Sequence, residues 1–185
     1  MQMDLTNQFL IAMPSLQDGG FEKSVVYICQ HDRDGAMGLL INKTCDTQLS
    51  DLLEYLSIED HDLKQDQSVF FGGPVHPENG FVIHYPVGRW RTSLNVTNTV
   101  GVTTSKDILI AMANNEGPQH AFLALGYAGW EPGQLEEEIK DNLWLVTPAQ
   151  SDIIFDTPIT QRWQKAFSLT GIRNPLHLSS YGGHA

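Results

Sequence analysis

His31 stands directly before Asp32, Arg33 and Asp34, so that one imidazole and two carboxylates share a turn, a donor set that a divalent cation accepts. Aspartates in a hairpin loop also bond their own backbone, and that reading needs no metal. It is the one adopted, with no metal and no cofactor expected. His76 and His84 flank Gly80 and meet His31 only if strands bring the three segments together, which the spacing does not show. Gly72-Gly73-Pro74-Val75 removes side-chain bulk at two successive positions and then freezes the backbone. Such a loop presents N–H groups to an anion or turns a strand at a crowded corner. From Gly126 to Glu136 the chain combines flexible backbone, the aromatics Tyr127 and Trp130, and a helix start after Pro132. That stretch is the best site candidate. Its bland alternative has Trp130 covering the core at a strand-to-helix corner, while Glu136 to Glu138 favour the first helical turns through the dipole. His31, Asn42 and Glu138 are residue types that move or orient protons, and all three fall near turns. The signatures of phosphate-binding loops, dinucleotide folds, zinc proteases, serine hydrolases and CxxC redox enzymes are missing from the sequence.

The elements that must position these residues begin with three strands: Phe9 to Ala12, Ser24 to His31 with its β-branched run, and Gly38 to Asn42. Asp34-Gly35 predicts a tight hairpin between the second and third. Leu49, Leu52, Leu53 and Leu56 then mark one face of a short helix, with Thr47 as its cap. Val69 to Phe71 and Phe81 to Tyr85 read as strands on either side of the glycine turn, and Ser105 to Asn114 as a capped helix ended by Gly117-Pro118. His120 to Tyr127 is a strand, and Leu135 with Ile139 gives the helix after Pro132 its inward stripe. Trp144 to Thr147 and Asp152 to Phe155 read as two more short strands. A last helix opens at Pro158, carries Trp163, Ala166 and Phe167, and stops at Gly171. Seven to nine strands and four helices in irregular order predict a mixed α+β domain rather than a regular βαβ fold.

A chain of 185 residues with 41% hydrophobic content is one domain's worth, spanning 1–185, and buries enough surface to need neither disulfide nor metal. Eleven basic against 22 acidic residues leave a net charge of −11, which repels nucleic-acid phosphates and anionic lipid heads. The charge is uneven: Asp46 to Asp66 carries seven acids against Lys64 alone, and Thr157 to Ala185 carries Arg162, Lys165 and Arg173 with no acid. Both segments also read as ordinary solvated faces. Cys29 and Cys45 lie in no CxxC pair, no secretory leader opens the chain, and no apolar run approaches the ~18 to 20 residues of a membrane span. A reduced, cytoplasmic setting is expected.

The motifs resemble the AlgH/YqgE family of bacterial proteins nearly end to end. They are Met13-Pro14-Ser15-Leu16 with Asp18 and Phe21, His31 with Gly35 to Gly38, Ile41-Asn42-Lys43, Phe71 to Val75, Ala124 to Trp130, Pro132 to Glu136 with Glu138, Trp144, and Gly183-His184-Ala185. Thr44 stands where many members have proline, a small departure. The resemblance implies an α+β fold in which a bifurcated β-sheet folds into a pseudo-barrel with about four flanking helices. It implies a transcriptional-regulator role, the description that family usually carries. No catalytic residues are established for it, so none is carried over.

No helix-turn-helix with a basic recognition helix is visible, and the net charge opposes direct DNA contact. The leading expectation is therefore a non-enzymatic module that binds a protein partner or small ligand. Its candidate contacts are His31, Asn42, Gly72, Gly73, Pro74, Tyr127, Trp130, Gln134 and Glu138, with Trp130 and Tyr127 as exposed anchors. The competing readings are an enzyme that uses His31, Asn42 and Glu138 together, and a regulator that binds DNA directly.

Overall fold

The structure is a computed structural model and describes residues 3–17, 20–60 and 63–173. Asp18 and Gly183 to Ala185, on which part of the family resemblance rests, lie outside the described residues. The chain packs as two compact units, one with the described residues up to Asn42 and from Ala128 onward, the other Lys43–Tyr127.

In the first unit, β1 (Gln8–Ala12), β2 (Val25–Asp32), β3 (Gly35–Leu40) and β10 (Trp144–Pro148) form an antiparallel sheet in the order β10-β1-β2-β3. The far side of β3 pairs with the end of β9 (His120–Trp130), setting Ala36 against Trp130 and Gly38 against Ala128. Val25 to Cys29 are buried without interruption, because both faces of β2 are covered; an alternating pattern needs one face in water. Only Arg33 and Asp34 link β2 to β3, and the Asp34 N–H donates to Asp32 Oδ1 at 2.8 Å, the side-chain-to-backbone bond that makes aspartate a turn former. Helix α3 (Gln134–Lys140) follows β9. Helices α4 (Ser151–Phe155) and α5 (Arg162–Ser168) follow β10, separated by a 3₁₀ turn at Ile159–Gln161. The Trp163 indole donates to the Ala12 carbonyl, and the buried Arg162 donates to the Ile41 and Thr157 carbonyls, which fastens α5 to the sheet. Burial pulls the Arg162 guanidinium down to about 10.

In the second unit the order is β7 (Ser93–Asn95), β8 (Gly101–Thr103), β6 (Val75–Tyr85), then β9, with β5 (Ser68–Phe71) parallel to β9 and β4 (Thr44–Gln48) antiparallel to β5. Helices α1 (Leu49–Tyr55) and α2 (Lys106–Ala113) pack their apolar faces into one cluster with Val69, Val82 and Leu123. β9 thus changes partners along its length, from β5 and β6 to β3, and this is where the sheet divides.

The mixed α+β class stands, with corrections. Asp152 to Phe155 lie in helix α4, not a strand. Five residues are too few for periodicity to decide, and Ile153 with Ile154 fills the core from one helical turn. This raises the helix number from four to five among the described residues. Ten strands exceed the seven to nine expected because β4 and β7 are short and carry no buried residue, and β8, though buried, is only three residues long. Thr47 belongs to β4; Gln48 precedes α1, and its N–H donates to the Asp51 carboxylate. No helix among the described residues is long and apolar enough to cross a membrane.

Candidate functional site

The sequence-derived candidates fall into two groups, one in each unit. In the first unit Glu138, on α3, takes the indole N–H of Trp130 on Oε2 at 2.9 Å and that of Trp144 on the same oxygen at 2.8 Å. Gln134 donates its amide to Oε1 at 2.9 Å, and its own carbonyl accepts the Glu131 N–H. The two indoles meet edge to face with centroids 6.2 Å apart. Trp130 is only 8% exposed, so the expectation of an exposed anchor there is corrected. β9 points this ring inward, and the carboxylate satisfies its polar edge. The arrangement clamps α3 between strands β9 and β10.

His31, also buried, accepts the Leu5 N–H on Nδ1 at 3.0 Å, which leaves the ring proton on Nε2 to be donated to Glu136 Oε1 at 2.8 Å. Glu136 is held below the usual carboxylate range, chiefly by its own backbone N–H and then by His31, against the opposing effect of burial. Asp32 spends its oxygens on the Asp34 N–H and the Gln30 amide. Among the described residues no group of three or more His, Cys, Asp or Glu is placed to hold a metal ion.

Asn42 accepts the Val25 N–H and donates to the Lys23 carbonyl, both at 2.8 Å. It therefore sits beside the start of β2, whereas His31 is near the end, a run of six residues or roughly 20 Å at the usual rise per strand residue. Glu138, in turn, is committed to two tryptophans and Gln134. The triple of His31, Asn42 and Glu138 is not assembled, and the proton-transfer constellation built on it is withdrawn. Each member closes a different structural joint.

In the second unit Gly72 and Gly73 are buried and Pro74 is exposed. The Gly72 N–H donates to the Leu125 carbonyl at 2.8 Å, so it is spent on the sheet rather than offered to an anion. Gly126 has φ +72, and a Cβ there would overlap the Gly73 carbonyl oxygen and lie 3.1 Å from that of Val75. This is the crowded corner that the glycines exist to permit. Beyond it the register of β6 on β9 slips: Val75 pairs with Tyr127, yet Gly80 pairs with Leu125. His76 to Asn79 are therefore extruded into solvent. His76 adopts φ +46, stacks at 6.2 Å on half-buried Tyr127, and meets Glu78 Oε1 through Nδ1 at 2.9 Å. Glu78 is lowered by its own backbone N–H first and by His76 second. Phe81 supports Tyr127 from the side.

Sequence reasoning did not find Glu136 as the partner of His31, Trp144 as the second indole, or the His76–Glu78 pair. The first joins residues 105 positions apart, and no local pattern signals it. The extrusion was detectable in principle, since His76-Pro77-Glu78-Asn79 is too polar and proline-broken for a central strand.

A family model described as AlgH-like matches residues 9–175. A UPF0301 protein of Thioalkalivibrio sulfidiphilus is 52% identical over 98% of this chain and 97% of its own length. One of Vibrio atlanticus is 45% identical over 99% and 100%. The solution structure of the AlgH protein from Pseudomonas aeruginosa superposes with TM-score 0.81 at 38% identity, covering 100% of this chain and 98% of that one. A crystal structure from Corynebacterium diphtheriae, at 20% identity and TM-score 0.70 over 99% and 94%, shares the fold.

Proposed function

The chain belongs to the AlgH-like family, and from that premise we propose that it is a non-enzymatic binding module. It regulates through a protein partner that docks on the Pro74–Asn79 excursion and Tyr127. The observation that carries this reading is His76. A residue with a side chain is held at positive φ, exposed, and stacked on an aromatic ring, and such backbone strain persists only where surrounding structure imposes it. The crowded glycine corner beneath supplies that support. Pro74 and Pro77 stiffen the excursion, which lowers the ordering cost of binding. The acids of Asp46 to Asp66 belong to the same unit, and the net charge of −11 steers a basic partner toward it. Regulation of this kind needs no DNA contact. Two free thiols suit a reducing compartment, and a cytoplasmic location completes the reading.

The test is a quantitative pull-down from nuclease-treated lysate that compares wild type with His76→Ala, an exposed change that leaves the core intact. A basic protein retained at ~50 mM salt, released near ~500 mM and lost with the variant supports the reading. Identical capture by both proteins at all salt concentrations would overturn it.

A further inference from the structure

The second unit also holds a cavity of about 250 Å³ that none of the candidate residues pointed to. Its walls are Leu52, Val82, Leu109, Leu123 and Leu125, the inner two buried in the core and the others half-buried. Gly80 contributes bare backbone to the floor. At the rim stand one cation, Lys106, one carboxylate, Glu78, and the exposed hydroxyl residue Thr104. Tyr55 edges the opening at 83% exposure, a large ring left almost wholly in water beside an apolar recess.

We propose that this cavity binds a free α-amino acid with an apolar side chain, of the size of leucine, methionine or phenylalanine. The hydrocarbon enters between the leucines, the α-carboxylate lies on Lys106 and the α-ammonium on Glu78. This goes beyond the protein-docking surface. Size sets the first limit. Sites for drug-sized ligands run to ~300–1,000 Å³, so the occupant here is smaller, on the order of ten non-hydrogen atoms. Charge sets the second. A lone carboxylate would approach against the field of a chain with net charge −11, whereas a zwitterion carries no net charge to repel. Both rim charges remain available in part. The Lys106 ammonium donates once, to the Leu56 carbonyl at 3.1 Å, and has three protons to give. His76 engages a single oxygen of Glu78, and a carboxylate accepts from several donors. The Tyr55 ring, at the mouth, covers the bound side chain and loses its exposed face to it.

Titration of the full chain with L-leucine, followed by amide chemical shifts and calorimetry, tests the assignment. Saturable binding with a Kd on the order of 0.1 mM is expected for so small a ligand, with the largest shifts at Leu123, Leu125 and Lys106. Lys106→Met and Glu78→Gln, both exposed positions, each weaken it about tenfold without lowering the unfolding midpoint. 4-Methylpentanoate, which lacks the ammonium, and 3-methylbutylamine, which lacks the carboxylate, bind at least tenfold more weakly than leucine. No saturable binding of leucine, methionine or phenylalanine up to ~10 mM overturns the proposal, as does 4-methylpentanoate binding as tightly as leucine. Lys106 lies outside the Pro74–Asn79 excursion, so Lys106→Met weakens leucine binding while leaving capture of the basic partner intact, and the two readings fail separately.

Discussion

Gly126→Ala is the sharpest test of the corner beneath the docking surface. At φ +72 an alanine sits in the left-handed region, at roughly 1–2 kcal/mol. Its Cβ would also overlap the carbonyl oxygen of Gly73, which is backbone and has no rotamer to yield. Relief requires the Gly72–Val75 segment to move away from β9, and the bond most exposed to that movement is Gly72 N–H to Leu125 O at 2.8 Å. Leaving those buried groups unpaired adds about 1–3 kcal/mol, for a total of about 2–5 kcal/mol. In a chain of this size that lowers Tm by roughly 5–15 °C. The control is Gly133→Ala: φ is +79, yet nothing lies within 4 Å of the added carbon, so only backbone strain remains. Urea unfolding of both variants isolates the overlap as their difference, which should be about 1–3 kcal/mol. Equal destabilisation to within about 0.5 kcal/mol would refute the argument, because strain alone would then account for Gly126.

Glu138→Ala strands the Trp130 and Trp144 indole N–H groups and should cost about 2–4 kcal/mol, whereas Glu138→Gln keeps an acceptor oxygen and costs about 1; urea titration with tryptophan emission separates them. His84 is fully buried, its Nδ1–H donates to the Pro86 carbonyl, and burial lowers its pKa below 6.5 despite that bond. The unfolded chain therefore binds the proton more readily. The stability that neutral His84 confers is complete above pH 6.5 and falls as pH drops toward its folded value, by at most about 1.4 kcal/mol per unit. Unfolding measured at pH 5.5 and 7.5 should show this slope, and His84→Gln should remove it. Burial pushes the Cys29 thiol up to about 12, and Cys45 is half-buried, so a thiol reagent should label Cys45 first and Cys29 only on unfolding. Equal labelling rates in the folded protein would contradict the placement of Cys29.

Much of the fold was legible where periodicity runs long enough. The β-branched run of β2, the leucine stripe of α1 and the Asp34-Gly35 hairpin all lie where their residues put them. Asp152 to Phe155 was not legible, because two adjacent isoleucines suit a strand or a single helical turn equally, and burial chose the helix. Trp130 illustrates the limit for sites. A tryptophan on a glycine-rich loop reads as an exposed anchor, and only its bond to Glu138, eight residues on, shows that the ring faces inward. The cavity was illegible for a related reason. Leu52, Lys106 and Leu125 come from three separate elements, and nothing in their local sequence marks them as neighbours.

The chain leaves the first unit after Asn42 and re-enters it at Ala128, with the whole second unit in between. On the ribosome, β1 to β3 emerge early, but β10, which pairs Gln8 with Pro148, emerges only after that insertion. At ~5–20 residues per second the wait is on the order of ten seconds. During it β1 presents an unpaired and strongly apolar edge, Phe9-Leu10-Ile11, to the cell. The second unit is sequence-continuous up to Tyr127 and can gather its strands first. Synthesis order thus makes the discontinuous unit the late-closing one, and its β1 edge the place where a nascent-chain chaperone has most to protect.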